Sequence, residues 1–118
     1  MTGVLKLSQA YETLVSELKE TGIPFAENAW NTRPKADHYG VVALEFEAGA
    51  MNGDNRKMAR AIEGSVDLFS KAKNGGGYPA QIEEILDETC EGAWKLNHHG
   101  WESDTGLFHW EWAYQVEG

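Results

Sequence analysis

Residues 107–116 read L-F-H-W-E-W-A-Y-Q-V. Phe108, Trp110, Trp112 and Tyr114 fall at every second position, with His109, Glu111, Ala113 and Gln115 between them. A side-chain period of two belongs to a β-strand, and a helix would scatter these rings around its axis. The stretch therefore has to present four large aromatics to one side of a sheet. Each such ring can remove roughly 150–250 Å² from water. This strand fixes where most of the core must lie.

The remaining pattern supplies a partner for that strand and a cover for its aromatic face. Residues 93–102 are followed by Ser103-Asp104-Thr105-Gly106, a run of turn formers, so 93–102 and 107–116 read as a hairpin. If Glu102 pairs with Leu107, Trp101 joins the aromatic face. Strict alternation then puts Trp94 and Leu96 on the opposite face, beside His98 and Glu111. Large apolar groups on both faces call for a second covering surface, such as a loop or another subunit. Upstream, 39–47 and 59–71 alternate around the turn signals of 48–55 and predict a first, long hairpin. Ile62, Gly64, Val66 and Leu68 share one of its faces, and Glu63, Ser65 and Asp67 the other. A short strand is expected over 25–30.

Two segments have helical spacing instead. Leu7, Tyr11, Leu14, Val15 and Leu18 form one stripe, with Ser8 as N-cap and Gly22 just beyond the end. Ile82, Ile85, Leu86 and Thr89 form another, behind Pro79 in a first helical turn, with Glu83, Glu84, Asp87 and Glu88 toward water. The order α-β-β-β-α-β-β lacks the βαβ alternation of a parallel sheet. It predicts one α+β domain over 1–118, a mainly antiparallel sheet with two helices packed on it. The tract 73–77, K-N-G-G-G, reads as a flexible break between the halves.

Charge and composition narrow the function. The chain has 118 residues, a formal charge of −9 and a pI of about 4.8. Its ten Lys and Arg are scattered, which disfavours a nucleic-acid or membrane-surface interface. One cysteine, Cys90, forms no intrachain disulfide and no metal-type spacing. No segment has the form of a secretory leader or a membrane span, so a soluble protein made in a reducing cytoplasm is expected.

The chemical motifs each have a simpler structural explanation. Asp104-Thr105-Gly106 is the tripeptide of aspartic proteases, but those need two aspartates sharing a proton. In this position it reads as a hairpin turn. Gly75 to Pro79 precedes a helix and could hold an anion, but it lacks the Lys and Ser/Thr of a P-loop. Cys90 sits between Glu88 and Glu91, which oppose a thiolate. In the assumed register His98 faces Glu111 and His109 is their diagonal neighbour, a set that could bind a divalent transition metal. Without a built constellation, no catalytic, cofactor-binding or metal residue is expected.

Three strings carry a resemblance: T-G-I-P-F-A-E-N-A-W (21–30), A-I-E-G-S-V-D-L-F-S-K (61–71) and D-T-G-L-F-H-W-E-W-A-Y-Q-V (104–116). Over about 7–116 the chain resembles small proteins from the tail-morphogenesis clusters of long-tailed bacteriophages and prophages. It is similar to the tail terminators, also called tail completion or head–tail joining proteins. The resemblance implies the same α-β-β-β-α-β-β arrangement and a structural role without catalysis or cofactor. It implies a homo-oligomeric ring, a hexamer, at the head-proximal end of the virion tail, made in the host cytoplasm. Its partners would be further copies of itself, the major tail tube protein and the head–tail connector. DNA would only pass through the lumen, and no membrane is involved.

In such a ring, Arg33, Met51, Asn55, Arg56, Met58, Arg60, Trp94 and Leu96 are the expected interface residues. Asp37, Glu45, Glu47, Asp54, Glu63 and Asp67 are candidates for an acidic lumen or its mouth, which would repel phosphate and let DNA slide. Two readings from other classes stand beside this one. One is a metal-dependent enzyme using His98, His109 and Glu111. The other is a small acidic phage-encoded adaptor or inhibitor that binds a host protein.

Overall fold

A computed structural model describes residues 2–48 and 61–117, with side chains over 9–45 and 62–116. Of the expected site residues, Met51, Asp54, Asn55, Arg56, Met58 and Arg60, together with the side chain of Glu47, lie outside this description. The elements are α1 (Thr2–Lys19), β1 (Phe25–Glu27), β2 (His38–Ala48), β3 (Ala61–Ser70), α2 (Tyr78–Thr89), β4 (Trp94–Glu102) and β5 (Leu107–Glu117), with a 3-10 turn at Gly75–Gly77. The α-β-β-β-α-β-β order and the α+β class are those expected from the sequence.

The strands form one five-stranded sheet in the order β1-β2-β3-β5-β4. It is mixed. Phe25, Ala26 and Glu27 run parallel to Gly40, Val41 and Val42, while the other three pairings are antiparallel. β1 is shorter than the expected 25–30 because Asn28 turns to a positive φ of 70°. Its N–H still donates to the Val42 carbonyl at 2.8 Å, which closes the pairing.

α1 begins before Ser8, which is interior to the helix and not its cap. The apolar stripe marks only the turns that pack, and hydrogen bonding carries the helix beyond them. Tyr11, Leu14, Val15 and Leu18 join Ile82, Ile85 and Leu86 of α2 over Val42, Val66, Leu68, Trp110, Trp112, Tyr114 and Val116. Both helices thus cover the face marked by the β5 aromatics. Trp112 and Leu14 are fully buried; transfer of one such indole from water contributes about 4–6 kcal/mol before entropy is counted.

Two side chains on α2 behave differently from their sequence reading. Glu83 accepts the Trp112 indole N–H at 2.9 Å, and Asp87 accepts that of Trp94 at 2.7 Å. Buried indoles need such partners. The four-residue spacing of Glu83 and Asp87 puts both carboxylates on one side of the helix. They bind α2 to β5 and β4 rather than facing only water. The expected break at 73–77 is also a defined turn: Gly75, Gly76 and Gly77 have φ of 73°, 68° and 85°, and the Asn74 side chain accepts from the Gly76 N–H at 2.9 Å. Three consecutive left-handed residues are accessible to glycine at little steric cost.

Tyr114 lies across Gly64, and its hydroxyl donates to the Ala43 carbonyl at 2.8 Å. A Cβ at position 64 would collide with both groups. This glycine in the central strand is therefore set by close approach of a ring to the backbone. No helix among the described residues is long and apolar enough to cross a membrane.

Candidate functional site: the open face of the sheet

The sheet face turned away from the helices carries Tyr39 and Val41 of β2, Ser65, Asp67 and Phe69 of β3, His109, Glu111 and Ala113 of β5, and His98 and Glu102 of β4. Cross-strand pairing fixes these positions: Tyr39 pairs with Phe69 and Phe69 with His109, while His98 pairs with Glu111, Gly100 with His109 and Glu102 with Leu107. The hairpin register at the turn end is the one assumed from sequence.

It does not hold along the whole strand. β4 carries an extra residue, Asn97, between Leu96 and His98. This bulge realigns the N-terminal half, so that Leu96 pairs with Trp112 and Trp94 with Tyr114. Trp94 and Leu96 consequently share the helix face and not the face of His98, which corrects the expectation from unbroken alternation. Trp94 is half-buried against the core. Leu96 is 44% exposed and Trp101 56% exposed, both on the edge strand β4. Trp101 rests edge-on against Phe108, and His99 stacks on Trp110 at 4.3 Å.

A row of rings crosses the open face. Trp30 meets Tyr39 edge-on at 6.3 Å, Tyr39 stacks on Phe69 at 5.1 Å, Phe69 stacks on His109 at 4.3 Å, and His109 lies 5.3 Å from His98. The loop between β1 and β2 folds over one end of this row. There the Trp30 indole donates to the Gly40 carbonyl at 3.0 Å. Arg33 donates through both guanidinium nitrogens to the Thr105 carbonyl, at 3.4 and 3.3 Å. A shallow groove of about 440 Å³ runs between loop and sheet, lined among others by Trp30, Arg33, Tyr39, Asp67 and Phe69. Burial pushes the Tyr39 hydroxyl up, against the opposing pull of Arg33.

His109 is the polar centre of the face. Its Nδ1 lies 2.6 Å from Glu102 Oε2 and its Nε2 lies 2.7 Å from Asp67 Oδ1. An ionised carboxylate only accepts, so both contacts are satisfied when both ring nitrogens carry protons. Burial pulls the His109 pKa down, but the hydrogen bonds and charges of Asp67 and Glu102 outweigh it and raise it from the ordinary 6.5. The imidazolium then rests on the π-face of Phe69, an arrangement that favours the cation.

His98, Glu102 and His109 place one ligand atom each within 4.8 Å of one another. The carboxylate in this group is Glu102 and not Glu111, which corrects the expected His98, His109 and Glu111 set. Glu111 faces His98 directly, but His109 turns its Nδ1 toward the hairpin turn, where Glu102 sits. The assumed register already contained this alternative, since His109 pairs with Gly100 and has both His98 and Glu102 as diagonal neighbours. The role of Asp67 was not visible in local pattern, because it depends on the β3–β5 pairing across an intervening helix and strand.

The other expected residues are dispersed. Glu45 is exposed and lies with Glu63, Lys95 and Gln115 around a second depression at the far end of the sheet. Asp37 pairs with Lys71 at 3.3 Å on the surface. Asp67 is held by His109 and so contributes little free negative charge. Asp104-Thr105-Gly106 is a turn, as expected: Gly106 has a φ of 71° and its N–H donates to the Glu102 carbonyl at 2.8 Å. Cys90 is 4% exposed and burial pushes its thiol up, which suits a packed residue rather than a nucleophile. The chain matches no protein-family model and no curated protein.

Proposed function

We propose that the protein is a tail-terminator subunit that assembles as a ring, caps the tail tube of a long-tailed phage, and presents the joint for the head connector. The observation that carries this reading is the element order α-β-β-β-α-β-β, which is the order implied by the resemblance at 21–30, 61–71 and 104–116. The edge strand β4 adds support. It leaves Leu96 and Trp101 in solvent on the helix side, where a neighbouring subunit would cover them. Aromatic side chains in that setting are typical of interface cores. Glu45 and Glu63 remain candidates for an acidic channel surface, whereas Asp67 is already paired. A ring of this kind acts by ending tube polymerisation, so the reading is one of assembly and not of catalysis.

The test is to add the purified chain to growing tail tubes from the same phage cluster and to image them by electron microscopy. Ring-shaped density at one tube end, with elongation stopped, is the expected result. Tubes that continue to lengthen with bare ends would refute the reading.

A further inference from the structure

We propose that His98, Glu102 and His109 form a binding site for one divalent transition cation of the zinc class, clipping β4 to β5 on the open face. The site stands independently of the tail-terminator reading.

Four features of the molecule build it. First, the donors come from a rigid hairpin rather than from loops: His98 and Glu102 lie two positions to either side of Gly100, which pairs with His109. Second, Gly100 leaves the space opposite His109 open, and the His98 ring leans into it. A Cβ at position 100 would lie 3.5 Å from His98 Cε1 and 3.7 Å from Nε2. The three ligand atoms lie within 4.8 Å of one another. Third, Asp67 Oδ1 takes the Nε2 side of His109 at 2.7 Å. A carboxylate behind one imidazole nitrogen fixes the ring, as in carboxylate–histidine–zinc sets, and a cation at this site takes the place of the Nδ1 proton now shared with Glu102. Fourth, the bulge at Asn97 puts Leu96 on the helix side while His98 lies on the open side, so the ligand does not disturb the packing.

Two imidazoles and one carboxylate suit a borderline cation such as Zn²⁺ or Co²⁺ and are a poor match for Ca²⁺ or Mg²⁺, which prefer all-oxygen shells. Three protein ligands leave a fourth position for water or another donor. The net charge of −9 favours cation capture at long range.

The experiment is titration of the tag-free, chelator-treated full chain with Zn²⁺ by calorimetry, with Co²⁺ absorption as the spectroscopic readout. One Zn²⁺ per chain is expected, with a Co²⁺ spectrum of low coordination number. His98→Ala removes an exposed side chain and should abolish stoichiometric binding while leaving the circular dichroism and the contacts of His109 with Asp67 and Glu102 in place. Glu102→Gln should weaken binding strongly, and Asp67→Asn by about tenfold to a hundredfold. His99→Ala, on the opposite face, should leave binding unchanged. Absence of stoichiometric Zn²⁺ binding to the wild-type chain, or binding that survives His98→Ala, would overturn the proposal. Neither result bears on tube capping.

Discussion

The two faces of this sheet are built from the same strands by different physics. The helix face is close-packed and apolar, with its few polar atoms matched singly, such as the Trp112 and Trp94 indoles on Glu83 and Asp87. The open face has one row of rings and one charged centre, His109 between Asp67 and Glu102. Burial of apolar area holds the first face. Hydrogen bonds among charged groups, which depend on protonation, hold much of the second. The difference teaches that stability and pH response in this chain belong to separate sides of one sheet.

The sharpest way to break the comparison is Trp112→Ala. The side chain is fully buried, and truncation of a core tryptophan costs about 3–5 kcal/mol. Urea denaturation should show a loss of that size, with little change in its dependence on pH. An effect below about 1 kcal/mol would mean that the helix face is not the main source of stability.

The open face should respond to pH instead. The folded pKa of His109 is raised above the ordinary 6.5. Its contribution is therefore fully present below that ordinary value and is lost as pH rises through the raised one. In chelator-treated protein, urea denaturation should show stability falling as pH rises across that interval. His109→Gln should flatten this slope. A wild-type slope that persists in the variant would assign the pH response to another group.

The smallest effect on folding is expected at Trp101→Ala. The ring is 56% exposed on the edge strand, so the change in stability should stay within about 0.5 kcal/mol. Its effect on the proposed ring assembly, read by sedimentation in the presence of tail tubes, should be larger than its effect on folding. Equal loss of both would make Trp101 part of the core rather than of a contact surface.

The fold was largely legible because local period and turn chemistry agreed. The rings of β5, the stripe Ile62–Gly64–Val66–Leu68 and the turn ending at Gly106 all took the positions that their spacing predicts. The parallel pairing of β1 was not legible, since three residues carry too little pattern to fix direction. The candidate site was readable in half. His98 and His109 follow from the hairpin register, and so, in principle, does Glu102. Asp67 required the register between β3 and β5, which no local signal supplies. Trp94 and Leu96 were misplaced because a bulge adds a residue without altering the composition around it.

That added residue gives the strand a slack position. Delete Asn97 on paper, and every partner in the ladder keeps its place: Leu96 still meets Trp112, and His98 still meets Glu111. Delete a residue farther along either half instead, and the residues between it and the bulge must slide one place and turn their side chains over. Loss of one residue from β4 can thus be absorbed between the half that serves the helices and the half that carries the histidine. Each half can drift in sequence without dragging the other out of step.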